Sequence, residues 1–104
     1  LAEDTLAIFR AGIPILTMLQ DENRQQILVM LCKIDKMTVN QITEQLALSR
    51  PAVSHHLKLM RDAGLLSVSK VGTERYYRVE MAETLALLKA LTASLEKDMG
   101  IKEN

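Results

Sequence analysis

Residues 49–66 read Ser-Arg-Pro-Ala-Val-Ser-His-His-Leu-Lys-Leu-Met-Arg-Asp-Ala-Gly-Leu-Leu, and this run constrains the fold more than any other. Ser49 is a good helix N-cap, and Pro51 falls in the first turn, where a missing N–H costs little. Val53, Leu57 and Met60 follow at i, i+4 and i+7, forming one apolar stripe. Gly64 supplies the left-handed backbone on which many helices end. The outer face keeps Arg50, Ser54, His55, Lys58 and Arg61, which are short polar groups and cations. A short helix, apolar on one side and basic on the other, suits insertion into the major groove of DNA.

The flanking segments turn that helix into a motif. Thr38-Val39-Asn40-Gln41 matches a capping box, with Gln41 reaching back to the cap residue. It predicts a short helix with Val39, Ile42 and Leu46 inward, ending by about Ala47. Ala47-Leu48-Ser49 then leaves room for only a tight turn, so the two helices form a helix-turn-helix. Upstream, Asp21 caps a helix running to about Ile34, with Ile27, Leu28, Leu31 and Ile34 inward. After Gly64 the period changes to two. Leu66, Val68 and Lys70-Val71 read as one strand, Gly72-Thr73 as a turn, and Arg75 to Val79 as a second strand. This hairpin is a wing. Tyr76 and Tyr77 alternate sides of it, one toward the core and one toward DNA or solvent, and the pattern leaves open which.

Helices are also predicted at both ends, over about residues 4–19 and 81–99, the first with a break near Gly12-Ile13-Pro14. Ile8, Ile15, Leu16 and Leu19 supply more apolar surface than a small core needs. Leu85, Leu87, Leu88, Leu91 and Leu95 cover more than one stripe, so the last helix needs two surfaces to pack on. A second copy of the chain supplies the other, and Ile8, Ile15, Leu85, Leu88, Leu91 and Leu95 are the candidate dimer contacts. The expected architecture is mainly α with a small β-hairpin wing. It is a winged helix-turn-helix of order α-α-α-α-β-β-α, one domain over residues 1–104, dimerising through its terminal helices.

Composition agrees with this. The chain has 104 residues, is 48% apolar and carries one Phe and two Tyr as its only aromatics, so its core is aliphatic with Met as filler. No stretch approaches the roughly 20 apolar residues that span a bilayer, and no signal-peptide pattern is visible. Cys32 is the only cysteine, which excludes an internal disulfide and fits a reducing cytoplasm. The net charge of zero hides an asymmetry. Residues 50–78 hold six cations (Arg50, Lys58, Arg61, Lys70, Arg75, Arg78) against two anions (Asp62, Glu74), on an otherwise acidic body. A local basic segment is the footprint that phosphate contacts require.

These stretches resemble the ArsR/SmtB family of bacterial winged-helix repressors. The resemblance rests on Leu19 to Leu28, Val39 to Leu46, Ser49 to Leu66 and Gly72-x-x-x-Tyr-Tyr-Arg-Val79, together about residues 16–80. Its most specific piece is Ser-x-Pro-x-Val-Ser-x-His-Leu, present as Ser49 to Leu57. The resemblance implies a homodimer built on the first and last helices, a palindromic operator, repression of transcription, and release on a signal. Many members sense metals, and here the chain departs from them. Where one family site has Cys-x-Cys, Thr38 and Asn40 stand, and they cannot replace two soft thiolates. No His or Cys follows His56, so a second site on the last helix lacks its imidazoles, and none precedes Cys32. Neither a metal nor another cofactor is expected.

Within the motif, Ser54 is short enough to sit deep in the groove, and His55 is the better placed histidine to read sequence. Arg50, Lys58 and Arg61 serve mainly to grip phosphate, and Ser49 caps the helix beside it. Gln41 at the preceding helix, and Lys70, Thr73 and Arg75 around the wing turn, complete the candidate DNA contacts. His56 lies nearer the buried face and is expected to order the turn by a hydrogen bond. The adjacent histidines point about 100° apart and cannot chelate one metal together. No nucleophile–base pair accompanies them, so an enzyme is not expected. Cys32 reads first as a small buried apolar residue, and as a candidate thiol sensor second. The competing class is a winged-helix module for protein–protein contact, against which the clustered charge argues. No feature of the sequence names the inducing signal or the operator.

Overall fold

The computed structural model of the chain describes residues 2–101, with side chains from Asp4 onward. Its elements are α1 (Ala2–Met18), α2 (Glu22–Lys33), β1 (Met37–Thr38), α3 (Val39–Glu44), α4 (Arg50–Asp62), β2 (Leu66–Val71), β3 (Glu74–Val79) and α5 (Ala82–Asp98). Strands order as β1-β3-β2, all antiparallel. The hairpin pairs Lys70 with Arg75 and Val71 with Glu74 around the Gly72-Thr73 turn, where Gly72 takes φ 64°. The wing is therefore three-stranded rather than two. The added strand β1 pairs Met37 with Tyr77 and Thr38 with Tyr76. Two residues are too few to display the strand period, which is why the sequence reading passed over it.

Local chemistry sets the helix starts. Asp21 caps α2, its Oδ1 accepting the Arg24 N–H at 3.1 Å. Thr38 caps α3 in a complete capping box: its Oγ1 accepts the Gln41 N–H, and Gln41 Oε1 accepts the Thr38 N–H at 2.9 Å. The core is Ile27 and Leu31 of α2, Met37, Ile42 of α3, Val53, Leu57 and Met60 of α4, and Leu65, Leu66 and Tyr77. Ile34 is not part of it. The chain turns extended at this residue (φ −118°, ψ 124°), and its side chain is 49% exposed. The helix has ended before the periodicity could carry it inward.

The expected break in α1 is also absent, since the helix runs through Gly12 and Pro14. Proline here removes one helical N–H, and α1 is held along its length against α5. Thr5 on α1 joins Ser94 and Asp98 on α5 through its hydroxyl, and Ile8, Ile15, Leu88 and Leu91 line the seam between the helices. Ile15, Met18, Leu19 and Met81 pack this pair against the core. The whole measures 51 × 21 × 21 Å. No described helix is long and apolar enough to cross a membrane.

Candidate nucleic-acid interface

The helix-turn-helix is built as its sequence dictates. Ser49 caps α4, with Oγ accepting the Ala52 N–H at 3.3 Å, and Pro51 sits in the first turn. Val53, Leu57 and Met60 are completely buried, and Gly64 leaves the helix at φ 82°. Burying that stripe fixes the rotation of the helix, and therefore which side chains point outward. Pro51, His55, Lys58 and Asp62 form the exposed line most distant from it.

On the wing side of that line α4 faces β3 across a groove. Arg50, Ser54, Lys58 and Arg61 of α4, with Val39, Arg75 and Tyr77, line one groove of about 450 Å³. A second hollow, of about 220 Å³, joins it at the helix start and is lined by Thr38, Val39, Asn40, Arg50, Thr73, Glu74 and Arg75. The groove gathers four cations from two elements that are far apart in sequence. Concave, water-accessible and positive, such a surface complements a phosphate backbone.

Several predicted residues carry a second partner. Lys58 Nζ bonds Asp62 Oδ2 at 2.9 Å, and Arg61 Nε lies 3.9 Å from the other carboxylate oxygen. The Lys58 hydrogen bond, more than the nearby charges, holds the Asp62 carboxyl below its ordinary range. Arg50 Nε donates to Asn40 Oδ1 at 2.7 Å. Gln41 spends its amide oxygen on the capping box, so its remaining polarity is its NH2 group. Lys70 and Thr73 are exposed beside the wing turn. Arg78, the last cation of the basic segment, leans toward Asp35 at 3.5 Å. Sequence reasoning weighed Asn40 only as a metal position and passed over it at the DNA interface. Its signal was available: an exposed amide in the first turn of α3, facing the turn that leads to Arg50.

The tyrosine alternative resolves. Tyr77 is buried in the core, and Tyr76 is half-buried with Lys36 Nζ 4.8 Å from its ring centroid. Two expectations need correction. His56 does not order the turn through Nδ1, which is buried and has no hydrogen-bond partner. The helix rotation fixed by Val53, Leu57 and Met60 carries that atom against the packed side, and His56 is among the groups that lower the Asp21 carboxyl. The cap bond from the Arg24 N–H is the larger cause there. Cys32 is exposed rather than buried. It stands one residue past Leu31, about 100° around α2, on the side shared with Val29.

The dimer candidates divide between two faces. Ile8, Ile15, Leu88 and Leu91 line the seam inside the chain, whereas Leu85 (49% exposed) and Leu95 (37%) point outward. Leu6, Phe9, Ile13 and Leu16 of α1 are exposed with them.

Comparison with known proteins gives a consistent result. The family described as "Bacterial regulatory protein, arsR family" matches residues 21–68. The arsenical resistance operon repressor of Bacillus subtilis is 34% identical over 70 residues, 67% of either chain. The transcriptional activator HlyU of Vibrio cholerae is 30% identical over 80 residues, 77% of this chain and 73% of that protein. Among solved structures, an ArsR-like transcriptional regulator from Rhodococcus superposes with a TM-score of 0.76 at 26% identity, covering 91% of this chain and 89% of that one. The chain spans about half to two thirds of several other curated relatives, from 48% to 66% of their length. The matched segment holds the helix-turn-helix and reaches the start of β2, and the chain belongs to the ArsR family of winged-helix transcriptional regulators.

Proposed function

We propose that this protein is a cytoplasmic homodimeric repressor that sets two α4 helices in successive major grooves of an inverted-repeat operator. One observation carries the reading: Arg50, Ser54, Lys58 and Arg61 of α4 share a groove with Arg75 of the wing. A protein–protein module has no need of four cations around one concave surface. Ser54 and His55 read base edges, while Arg50, Lys58 and Arg61 grip phosphate. Ser49, Gln41, Lys70, Thr73 and Arg75 add backbone contacts. The exposed apolar side chains of α1 and α5 supply the dimer surface. Repression follows from an operator overlapping a promoter. The relatives include both a repressor and an activator, so the direction of control needs a reporter assay.

Selection from random duplexes tests the reading. It should recover an inverted repeat whose half-sites lie about one helical turn apart. Lys58→Ala should weaken all duplexes alike, and Ser54→Ala or His55→Ala should change which sequence is preferred. Recovery of no repeat, or an unchanged preference in both reader variants, contradicts it. The exposure of Cys32 favours a second reading, control by a thiol oxidant. With no second cysteine, that control would act through a capped thiol or a link between chains. Mass spectrometry after mild peroxide or polysulfide, paired with a DNA-binding assay, decides it: an unmodified Cys32 with unaltered binding ends the idea.

A further inference from the structure

Asn40 stands apart from the α4 face, in the first turn of α3, and none of the contacts proposed above uses it. Its amide oxygen accepts the Nε–H of Arg50 at 2.7 Å, across the turn of the helix-turn-helix. A guanidinium carries five N–H donors in a rigid planar fork. With Nε–H engaged, the four donors on the two terminal nitrogens stay available for an anion, and the plane of the fork is set. An unrestrained arginine on the surface loses rotamer freedom when it binds, and one already held loses less.

The direction of the restraint matters as much as its existence. Asn40 and Arg50 line the hollow between α3, the start of α4 and the wing turn, together with Thr73 and Arg75. Two guanidinium groups border it against one carboxylate, Glu74. Arg50 lies on the flank of α4, about 140° around the helix from His55 and about 80° from Lys58. Side chains on that flank meet the strand beside the groove, where the anion is a backbone phosphate rather than a base edge.

We propose that Asn40 is a positioning residue for DNA binding: it holds the Arg50 guanidinium over the hollow shared with Arg75, where the fork receives one backbone phosphate of duplex DNA. This rests on the DNA-binding reading above.

The test is a double-mutant cycle, titrating one selected duplex by fluorescence anisotropy across a salt series, with melting temperatures taken in parallel. Asn40→Ala should weaken binding about fivefold, the scale of the rotamer freedom that one long side chain loses when binding immobilises it. No charge is lost, so its salt slope and sequence preference should match the parent protein. Arg50→Ala should weaken binding further and reduce the slope by about 0.9, one phosphate. Adding Asn40→Ala to Arg50→Ala should then cost nothing more. Arg50→Lys approaches the same bond from the other side, keeping the charge but lacking Nε–H. It should show the fivefold loss with an unchanged slope even if Asn40→Ala folds poorly. Parent-like binding by Asn40→Ala or Arg50→Lys overturns the proposal. So does a loss from Asn40→Ala that persists in the Arg50→Ala background, which marks a direct contact or a fold effect. If the unmodified protein binds no duplex at all, the DNA-binding reading itself fails, and this proposal with it.

Discussion

Asp62 ends the most exposed line of α4, one turn beyond Lys58, and it is the wrong sign for a surface that meets phosphate. Its bond to Lys58 keeps that lysine ordered in the free protein but competes with DNA for the same ammonium group. Asp62→Asn should therefore tighten binding to all duplexes about equally, by about fivefold at low salt, with little change in melting temperature. Unchanged affinity would show that Lys58 does not reach the backbone. The same pair makes a titration prediction. Lys58 holds the Asp62 carboxyl below the ordinary value of 3.8, so the folded form favours the ionised group. That contribution to stability is present above pH 3.8 and is lost as pH falls through the lowered value. Asp21 behaves with the same sign, through the Arg24 N–H. In Lys58→Met, the Asp62 carboxyl resonance should titrate at a higher pH than in the parent protein; coincident curves would deny the interaction in solution.

At the scale of elements, what could be read locally was readable. Ser49, Thr38 with Gln41, Asp21 and Gly64 act through atoms within a few residues of themselves, so their spacing alone locates the starts of α2, α3 and α4 and the end of α4, while α3 stops at Glu44, short of the expected Ala47. The face of α4 followed, because three apolar residues at helical spacing leave one rotation. What needed distant partners was not readable. β1 exists only because Tyr76 and Tyr77 return to pair with it, and the run of α1 through Pro14 depends on α5. The same holds at side chains: Ile34 and Cys32 follow from where α2 stops and which of its faces the core covers. Two substitutions check these elements. Leu57 is fully buried beneath the reading face, so Leu57→Ala should cost about 2–5 kcal/mol in urea unfolding. Gly12 has helical backbone, and a Cβ there would meet Leu87 Cδ2 at 3.5 Å, an ordinary contact. Gly12→Ala should therefore raise stability by about 0.5–1 kcal/mol. A loss would mean that the α1–α5 seam is tighter than this geometry.

At the scale of the whole molecule, one end of the fold reads as prepared for DNA and the helix pair α1–α5 as prepared for a second copy. Ile13 is 57% exposed and Leu85 49%, on helices whose seam is already filled from within the chain. Sedimentation at micromolar concentration should find a dimer, and Leu85→Asp with Leu95→Asp should give folded monomers with much weaker operator binding. Pairing is the central claim, because it turns one short basic helix into half of a reading head with a fixed span. The most direct measurement of that span compares two duplexes carrying the same selected half-sites. One keeps the selected spacing, and the other has five base pairs inserted between the half-sites, rotating one to the opposite side of the double helix. Binding to the inserted duplex should be about a hundredfold weaker, since only one half-site remains in reach. Equal affinity for the two duplexes would contradict the account.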